Sequence, residues 1–361
     1  MMYRPILTII LSALCATAVC AQAQQEASKR NFVRGADISW CTEMEADGRR
    51  FFDADGRETD VFALMKQLGM NAIRLRVWVN PTAYGYGPWS DKADVLTKAR
   101  RAKAQGLELM IDFHYSDFFA DPGKQIMPLE WRGLSYEQLL TAVADHTRDV
   151  LQALKDEGIE PRWVQVGNET SSGMLHPLGK INWKMTGAAF VDYVPLSNAG
   201  YDAVKEVFPD ATVIIHMGLT NQALWFFPEF FAECGKADMI GMSFYPTAAE
   251  WNSNRMSAMH SNIIAAQHIR STLKSTKLPV MLCETGFDVH EPVLARYVLQ
   301  DLINRLSAIR GCEGVFFWEP ETDGEWAPAY YQSLGWQPYA MGGFTPDGRP
   351  TEALIPFTER K

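Results

Sequence analysis

Eight short apolar runs, each followed by helical spacing or by a loop rich in Gly, Pro and Asp, constrain this chain more than any other feature. They are Val33–Ile38, Ala72–Val77, Leu107–Phe113, Trp163–Val166, Thr212–His216, Met239–Phe244, Val280–Cys283 and Val315–Trp318. Short, nearly continuous apolar runs of this kind read as strands covered on both faces. Helix-like segments lie between them, among them Asp60–Leu68, Val95–Gln105, Tyr136–Glu157, Asn198–Val207, Ser257–Leu273 and Val293–Ile309. Several end on a stop signal before the next strand: Leu68-Gly69, Gln105-Gly106, Glu157-Gly158 and Phe208-Pro209. Strict β-α alternation of this kind predicts an α/β fold, a single (β/α)8 TIM barrel. No internal repeat, low-complexity tract or interdomain linker interrupts it.

Residues 1–23 stand apart from that pattern. Arg4 gives a short positive start, Ile6–Cys20 an apolar core, and Ala21-Gln-Ala23 a small-x-small cleavage site. This predicts an export signal that is removed, leaving residues 24–361 as one catalytic domain outside the cytoplasm: periplasmic, cell-surface or secreted. The apolar stretch is short for a bilayer span, so no membrane insertion is expected. Cys41, Cys234, Cys283 and Cys312 remain after cleavage, without Cys-x-x-Cys spacing. Cys283 and Cys312 fall near opposite ends of their strands, so no bridge between them is expected. A net charge of −9 and the lack of a basic cluster argue against nucleic acid as a partner.

Polar residues gather where the strands end: Asp37, Arg74, Arg76, Asp112, His114, Asn168, Glu169, His216, Tyr245, Glu284, Trp318 and Glu319. Burying such groups costs free energy unless they pair with one another or with a ligand. A rim lined in this way on the C-terminal face of a barrel predicts an active site.

Two of these residues suit one chemistry. Glu169 closes the fourth strand and Glu284 the seventh, so both point into the barrel mouth. One protonated and one ionised carboxyl are what cleavage of a glycosidic bond requires. Asn168 can donate to a sugar hydroxyl. Arg74 or Arg76 can hold Glu284 ionised, and Tyr245 can donate a hydrogen bond to it. One arginine of that pair can equally be a rim salt bridge, and His114 and His216 can equally be satisfied polar residues. A metal site built from Asp112, His114, His176 and His216 finds no His-x-His or His-Glu-x-x-His spacing, so neither metal nor cofactor is expected. Of the 11 Trp, Trp78, Trp89, Trp131, Trp318, Trp326 and Trp336 fall in rim loops, and flat rings with a polar edge suit pyranose faces. Trp318 is the best placed as a sugar platform.

The motifs Gly35-Ala-Asp-Ile-Ser39, Asn71-Ala-Ile-Arg-Leu-Arg-Val-Trp-Val-Asn-Pro81, Asp112-Phe-His-Tyr-Ser-Asp117, Trp163-Val-Gln-Val-Gly-Asn-Glu169, Ser243-Phe-Tyr-Pro246, Glu284-Thr285 and Phe317-Trp-Glu-Pro320 together carry a likeness. From about Arg34 to Phe357 the chain resembles the family 53 glycoside hydrolases, the endo-β-1,4-galactanases. That resemblance implies a (β/α)8 barrel and a retaining mechanism with Glu169 as acid/base and Glu284 as nucleophile. It implies β-1,4-galactan of type I arabinogalactan, a pectin side chain, as substrate. Arg74, His114, Asn168, Tyr245 and Trp318 match active-site positions, and Arg76, Trp78, Asp117 and His216 fall within or beside the same motifs as expected substrate-binding residues.

Departures concern the loops. Phe119 stands where the family usually has Trp, Met174-Leu-His-Pro177 replaces a segment with Trp before Pro, and His216-Met-Gly218 replaces His-Leu-Asp. Some bacterial relatives tie the loops after strands seven and eight with calcium. Here Phe287–Glu291 is short and offers few oxygen ligands, so no such ion is expected. A related hydrolase of β-mannan or β-glucan would share the chemistry and differ at the rim. A non-catalytic glycan-binding barrel would have no use for a proton donor and a nucleophile together. A monomer is the expected state.

Overall fold

Strands form at all eight apolar runs: β1 (Val33–Asp37), β2 (Ala72–Val77), β3 (Glu108–Phe113), β4 (Trp163–Val166), β5 (Thr212–Met217), β6 (Met239–Ser243), β7 (Val280–Thr285) and β8 (Cys312–Trp318). Each pairs in parallel with the next, and β8 closes on β1, giving the expected barrel. The computed structural model describes residues 32–182, 189–246 and 255–358. The expected export signal, residues 1–23, lies outside them.

The helices are α1 (Cys41–Ala46), α2 (Val61–Gln67), α3 (Lys92–Ala104), α4 (Tyr136–Asp156), α5 (Tyr193–Val207), α6 (Ala223–Ala232), α7 (Arg255–Thr276), α8 (Pro292–Ser307) and α9 (Ala329–Ser333). Asp60 caps α2 by accepting from the backbone N–H groups of Phe62 and Ala63 at 2.9 and 3.1 Å. Ser135 and Gln138 form a reciprocal capping box on α4. Each such cap stabilises its helix by about 1 kcal/mol. Helix α5 starts a full turn before the expected Asn198, because Pro195 sits in the first turn, where its missing N–H has no intrahelical partner to lose. Helix α6 was not anticipated. It contains Pro228 and is apolar almost throughout, so no amphipathic period marks it; Phe226, Phe227 and Phe230 are buried while Leu224 and Trp225 stay exposed. Among the described residues, no helix is long and apolar enough to cross a membrane. Cys41, Cys283 and Cys312 are buried, Cys234 is exposed, and none of the four is paired.

Strand alternation divides the barrel interior into an apolar floor and a polar layer above it. The floor is a contiguous cluster of Val33, Ala72, Met110, Trp163, Ile214, Met239, Met281, Cys283 and Phe316. Gly35 is required there, since a Cβ would lie 2.2 Å from the Phe316 ring. Two residues further along their strands come Arg74, Asp112, Gln165 and His216, all buried. The C-terminal ends of the strands therefore carry the polar groups. After β8 the described residues form α9 and a 3-10 turn at Glu352–Phe357, and the residues between them build one wall of the barrel mouth.

Candidate active site

Two local irregularities bring the glutamates inward. On β7, Met281 and Cys283 both belong to the floor, so strict alternation would turn Glu284 toward the helices. The register with β6 slips instead: Met242 pairs with Leu282 but Ser243 with Glu284, skipping Cys283. Such a bulge re-aims the next side chain. At the end of β4, Gly167 (φ 82°) and Glu169 (φ 48°) both adopt left-handed backbone, so Asn168 and Glu169 face the same cavity in succession. A left-handed Glu is uncommon and strained; such outliers collect at functional sites.

Arg74 is the hub beneath. Its Nη1 lies 2.7 Å from Asp37 Oδ2, and its Nη2 lies 2.8 Å from Asp112 Oδ2 and 3.0 Å from Glu284 Oε1. The same Nη2 is 2.8 Å from Asn168 Oδ1. Burial by itself would favour the neutral guanidine, but the charges of Asp112, Glu284 and Asp37 outweigh it and hold Arg74 cationic. Asp112 is correspondingly held below the usual carboxylate range, Arg74 overcoming the cost of burial. Of the two arginines that could hold Glu284 ionised, the structure selects Arg74.

Tyr245 donates from its hydroxyl to Glu284 Oε2 at 3.1 Å. Burial first, then the Glu284 charge, raises the phenol well above its ordinary value, so it remains a donor. Among the described residues no Arg or Lys pairs with Glu169, although the Arg74 charge acts on it from a distance. Side-chain oxygens of Glu169 and Glu284 and a ring nitrogen of His216 all come within 4.8 Å of one another. Burial raises both carboxyls above the usual range, and Glu169 adds to the rise at Glu284. Arg74 and Tyr245 sit at Glu284, so the pair's negative charge resides there and its proton on Glu169.

His216 works under the floor of the cavity, fully buried. Its Nδ1 lies 3.0 Å from both Gln165 Nε2 and Asn168 Oδ1 and 3.3 Å from the backbone nitrogen of Glu169, and its Nε2 lies 3.0 Å from Ser243 Oγ. Ser243 in turn donates to the Glu169 carboxyl. Burial and the Arg74 charge keep the imidazole neutral. Both ring nitrogens are committed, so the three groups form a carboxyl pair on a histidine support rather than a cation cage.

A cavity of about 490 Å³ opens above the pair, and His114, Asn168, Glu169, Tyr245, Glu284 and Trp318 line it together. His114 offers only its ring to that wall: Nε2 is 3.0 Å from Asp112 Oδ2, and Nδ1 accepts from Ala120 N–H. Asn168 spends one amide hydrogen on the Ala120 carbonyl at 2.8 Å.

Four residues expected to bind substrate, Arg76, Trp78, Asp117 and His216, do not line this cavity. Arg76 pairs with Glu319 and lies 4.7–5.2 Å from the ring centres of Phe119, Trp78 and Trp40, away from Glu284. Trp78 is fully buried beneath Phe118 and Phe119. Asp117 accepts from the backbone N–H groups of Asn80 and Leu129, which pins the loops after β2 and β3. His216 reaches the cavity only through Glu169 and Ser243.

The sequence reading placed Trp318, Trp326 and Trp336 at the rim but missed the rest of the cavity's aromatic wall. Trp40, just past β1, packs 5.3 Å from Trp318 and 5.6 Å from Trp326, and its Nε1 donates to Tyr331 Oη at 2.8 Å. Phe119, Tyr331, Trp336 and Tyr339 complete the wall. Trp326 and Trp336 reach it as rim residues, whereas Trp89 and Trp131 do not line it. The aromatic density of 326–339 was the available signal.

Residues 33–357 match the family model described as glycosyl hydrolase family 53. An uncharacterised protein of Niallia circulans is 31% identical over 345 residues, covering 87% of this chain and 89% of that protein. The arabinogalactan endo-β-1,4-galactanase of Cellvibrio japonicus is 30% identical over 345 residues, covering 86% and 84%. Among solved structures, a family 53 catalytic domain from Ignisphaera aggregans superposes with a TM-score of 0.76 at 26% identity, covering 91% of this chain and 96% of that one.

Proposed function

The chain belongs to glycosyl hydrolase family 53, and from that premise we propose that it is an exported enzyme that cuts β-1,4-galactan internally, with retention at the anomeric carbon. One observation carries the mechanistic reading: a carboxyl pair of which Glu284 is buried and Glu169 partly exposed, with cation and phenol in contact with Glu284. Side-chain oxygens within 4.8 Å favour the close spacing of retaining enzymes, about 5–5.5 Å, over the wider inverting one.

In the first step Glu169 gives its proton to the glycosidic oxygen as Glu284 attacks the anomeric carbon. The bond to the leaving sugar breaks and a glycosyl ester forms at Glu284. Esterification removes the Glu284 charge, so the Glu169 carboxylate no longer faces a negative neighbour and its pKa falls. It then takes a proton from water, whose oxygen attacks the same carbon and displaces Glu284. Asn168, held by Arg74 and Ala120, presents its remaining amide hydrogen to the sugar beside that carbon, where hydrogen bonds strengthen as charge develops. Trp318 supplies a ring face.

Galactan as substrate is supported by the Cellvibrio japonicus relative and by the motifs shared with the family; type I arabinogalactan is the natural form that fits. Export is supported by residues 1–23. The test is digestion of β-1,4-galactan, β-mannan and β-glucan, with products followed by size and the newly formed anomer by proton NMR. Oligosaccharides of mixed length released early from galactan, in the β-anomer, are expected. Release of one short product from the outset would replace internal cutting with end-wise cutting, and an initial α-anomer would overturn retention.

A further inference from the structure

Just past β8 the chain turns sharply and buries a second pair of carboxyls, Glu319 and Glu321, neither of which lines the catalytic cavity. Glu319 adopts left-handed backbone (φ 49°), and its carbonyl accepts from the N–H and the hydroxyl of Thr322 at 3.2 and 2.8 Å. A non-Gly residue persists in that conformation only where its surroundings hold it.

The two carboxyls have unequal surroundings. Glu319 Oε1 pairs with Arg76 Nη1, and Glu319 Oε2 accepts from the Trp40 N–H at 3.1 Å. Glu321 has no such support: among the described residues, neither of its oxygens has a donor in hydrogen-bond geometry. Its side-chain contact is the carboxyl of Glu319. Two carboxylates offer only acceptors, so that contact becomes a hydrogen bond when one of them carries a proton. The proton belongs on Glu321, because Arg76 and the Trp40 N–H stabilise charge at Glu319. The cations agree: Arg74 is taken by Asp37, Asp112 and Glu284, which leaves Arg76 facing two acids. Burial, then the Glu319 charge, raises Glu321 well above the ordinary carboxylate range. Asp37 on β1, Cys41 on α1 and Tyr339 in the loop after α9 also act on this acid or feel it, and none of them brings positive charge.

Glu319 ties the pair to the cavity. It holds the Trp40 backbone directly, and it fixes Arg76, whose guanidinium lies 5.2 Å from the Trp40 ring centre and 4.7 Å from that of Phe119. Both rings belong to the aromatic wall.

We propose that Glu321 is a positioning residue for glycan binding, a neutral carboxylic acid whose O–H donates to Glu319 and so holds Trp40 and Arg76 behind the aromatic wall. The proposal rests on the reading of that wall as a sugar-binding surface. An ionised Glu321 would instead repel Glu319 and loosen its hold on Trp40.

The test compares Glu321→Gln and Glu321→Leu with the natural protein. Gln has the same reach and supplies an N–H, whereas Leu donates nothing. Glu321→Leu is expected to raise KM for galactan about tenfold with kcat little changed, the effect of losing a buried hydrogen bond to a charged group that serves binding alone. Glu321→Gln recovers most of that loss. Infrared difference spectra of the natural protein against Glu321→Gln, in light and heavy water, should show the carbonyl stretch of a protonated carboxylic acid in the natural protein alone. Loss of a carboxylate band in its place overturns the neutral acid, and this comparison decides even if Glu321→Leu does not fold. An unchanged KM in Glu321→Leu, or an equal rise in both variants, overturns the positioning role. If the natural protein leaves galactan intact, the substrate reading has failed by itself. The variants are then compared on the β-glycan that it cleaves, while the infrared result stands without any substrate.

Discussion

Arg74 Nη2 lies 3.0 Å from Glu284 Oε1, and both side chains are almost wholly removed from solvent. The same guanidinium also neutralises Asp37 and Asp112. One cation therefore serves three carboxylates, and the fold of the barrel mouth and the ionisation of Glu284 depend on the same group.

Arg74→Lys keeps the charge but cannot reach all of these partners from one ammonium. It leaves buried carboxylates unpaired, a defect that costs about 3–5 kcal/mol. A lower urea midpoint is expected together with a fall in kcat, both read on the same preparation. Unchanged stability would show that the three acids find other partners.

The glutamates should separate by leaving group. Glu169→Gln is expected to lower turnover of galactan by about 10²–10⁴, the range for a positioned acid, and to spare much of the turnover of a glycosyl fluoride, which needs no proton in the first step. Glu284→Gln should abolish both. Equal losses in the two variants on the fluoride would reverse or remove the assigned roles.

The pH–rate profile follows from the shared proton. The active pair is singly protonated, so kcat/KM falls on the acid side when Glu284 takes a second proton. It falls on the alkaline side when Glu169 loses its own. Burial holds both carboxyls above their ordinary range, with the Ser243 hydrogen bond opposing the rise at Glu169, so the alkaline limb is expected well above the ordinary carboxyl range. Ser243→Ala removes that opposing hydrogen bond and should move the limb to higher pH; a limb that stays fixed would dissociate it from Glu169.

Stability has its own pH dependence through Glu43. Burial pushes this carboxyl up to about 7, opposed by the hydrogen bond from Tyr86, and the residue is 3% exposed. A folded pKa above the unfolded value contributes stability that is complete below the ordinary carboxyl range and is lost as pH rises through about 7. The midpoint of thermal unfolding should therefore drop as pH rises from the ordinary carboxyl range to about 7 and level off above it, and Glu43→Gln should flatten that drop while keeping an acceptor for Tyr86. A Glu43→Gln profile as steep as that of the natural protein would assign the effect elsewhere.

Trp318→Ala should raise KM for galactan about tenfold through loss of a ring platform, with the thermal midpoint falling less than for a core tryptophan, because Trp318 keeps part of its surface in the cavity. An unchanged KM would remove Trp318 from the substrate.

Much of this was legible before any coordinates. The eight strands announce themselves because a strand covered on both faces must be apolar along its length, and Gly69, Gly106 and Gly158 mark helix ends because each adopts a positive φ. Helix α6 escaped because its signal is an amphipathic stripe, and a helix apolar on nearly every side has none. Arg74 and Arg76 are indistinguishable by spacing: both point inward from β2, two residues apart. Only the neighbouring strands decide that one meets Asp112 and Glu284 and the other Glu319.

The order of the strands, most of the helices and the barrel belong to the sequence alone, because they follow from hydrophobic period, and the same runs put Glu169 and Glu284 at strand ends. The direction in which those glutamates point does not. Alternation would have turned Glu284 outward, and the slipped register between β6 and β7 turns it in. The wall around Trp40 and the support of Glu169 by His216 and Ser243 likewise join residues from distant strands. Such contacts are set by how a closed sheet brings its strand ends to one rim, which no local pattern in the chain encodes.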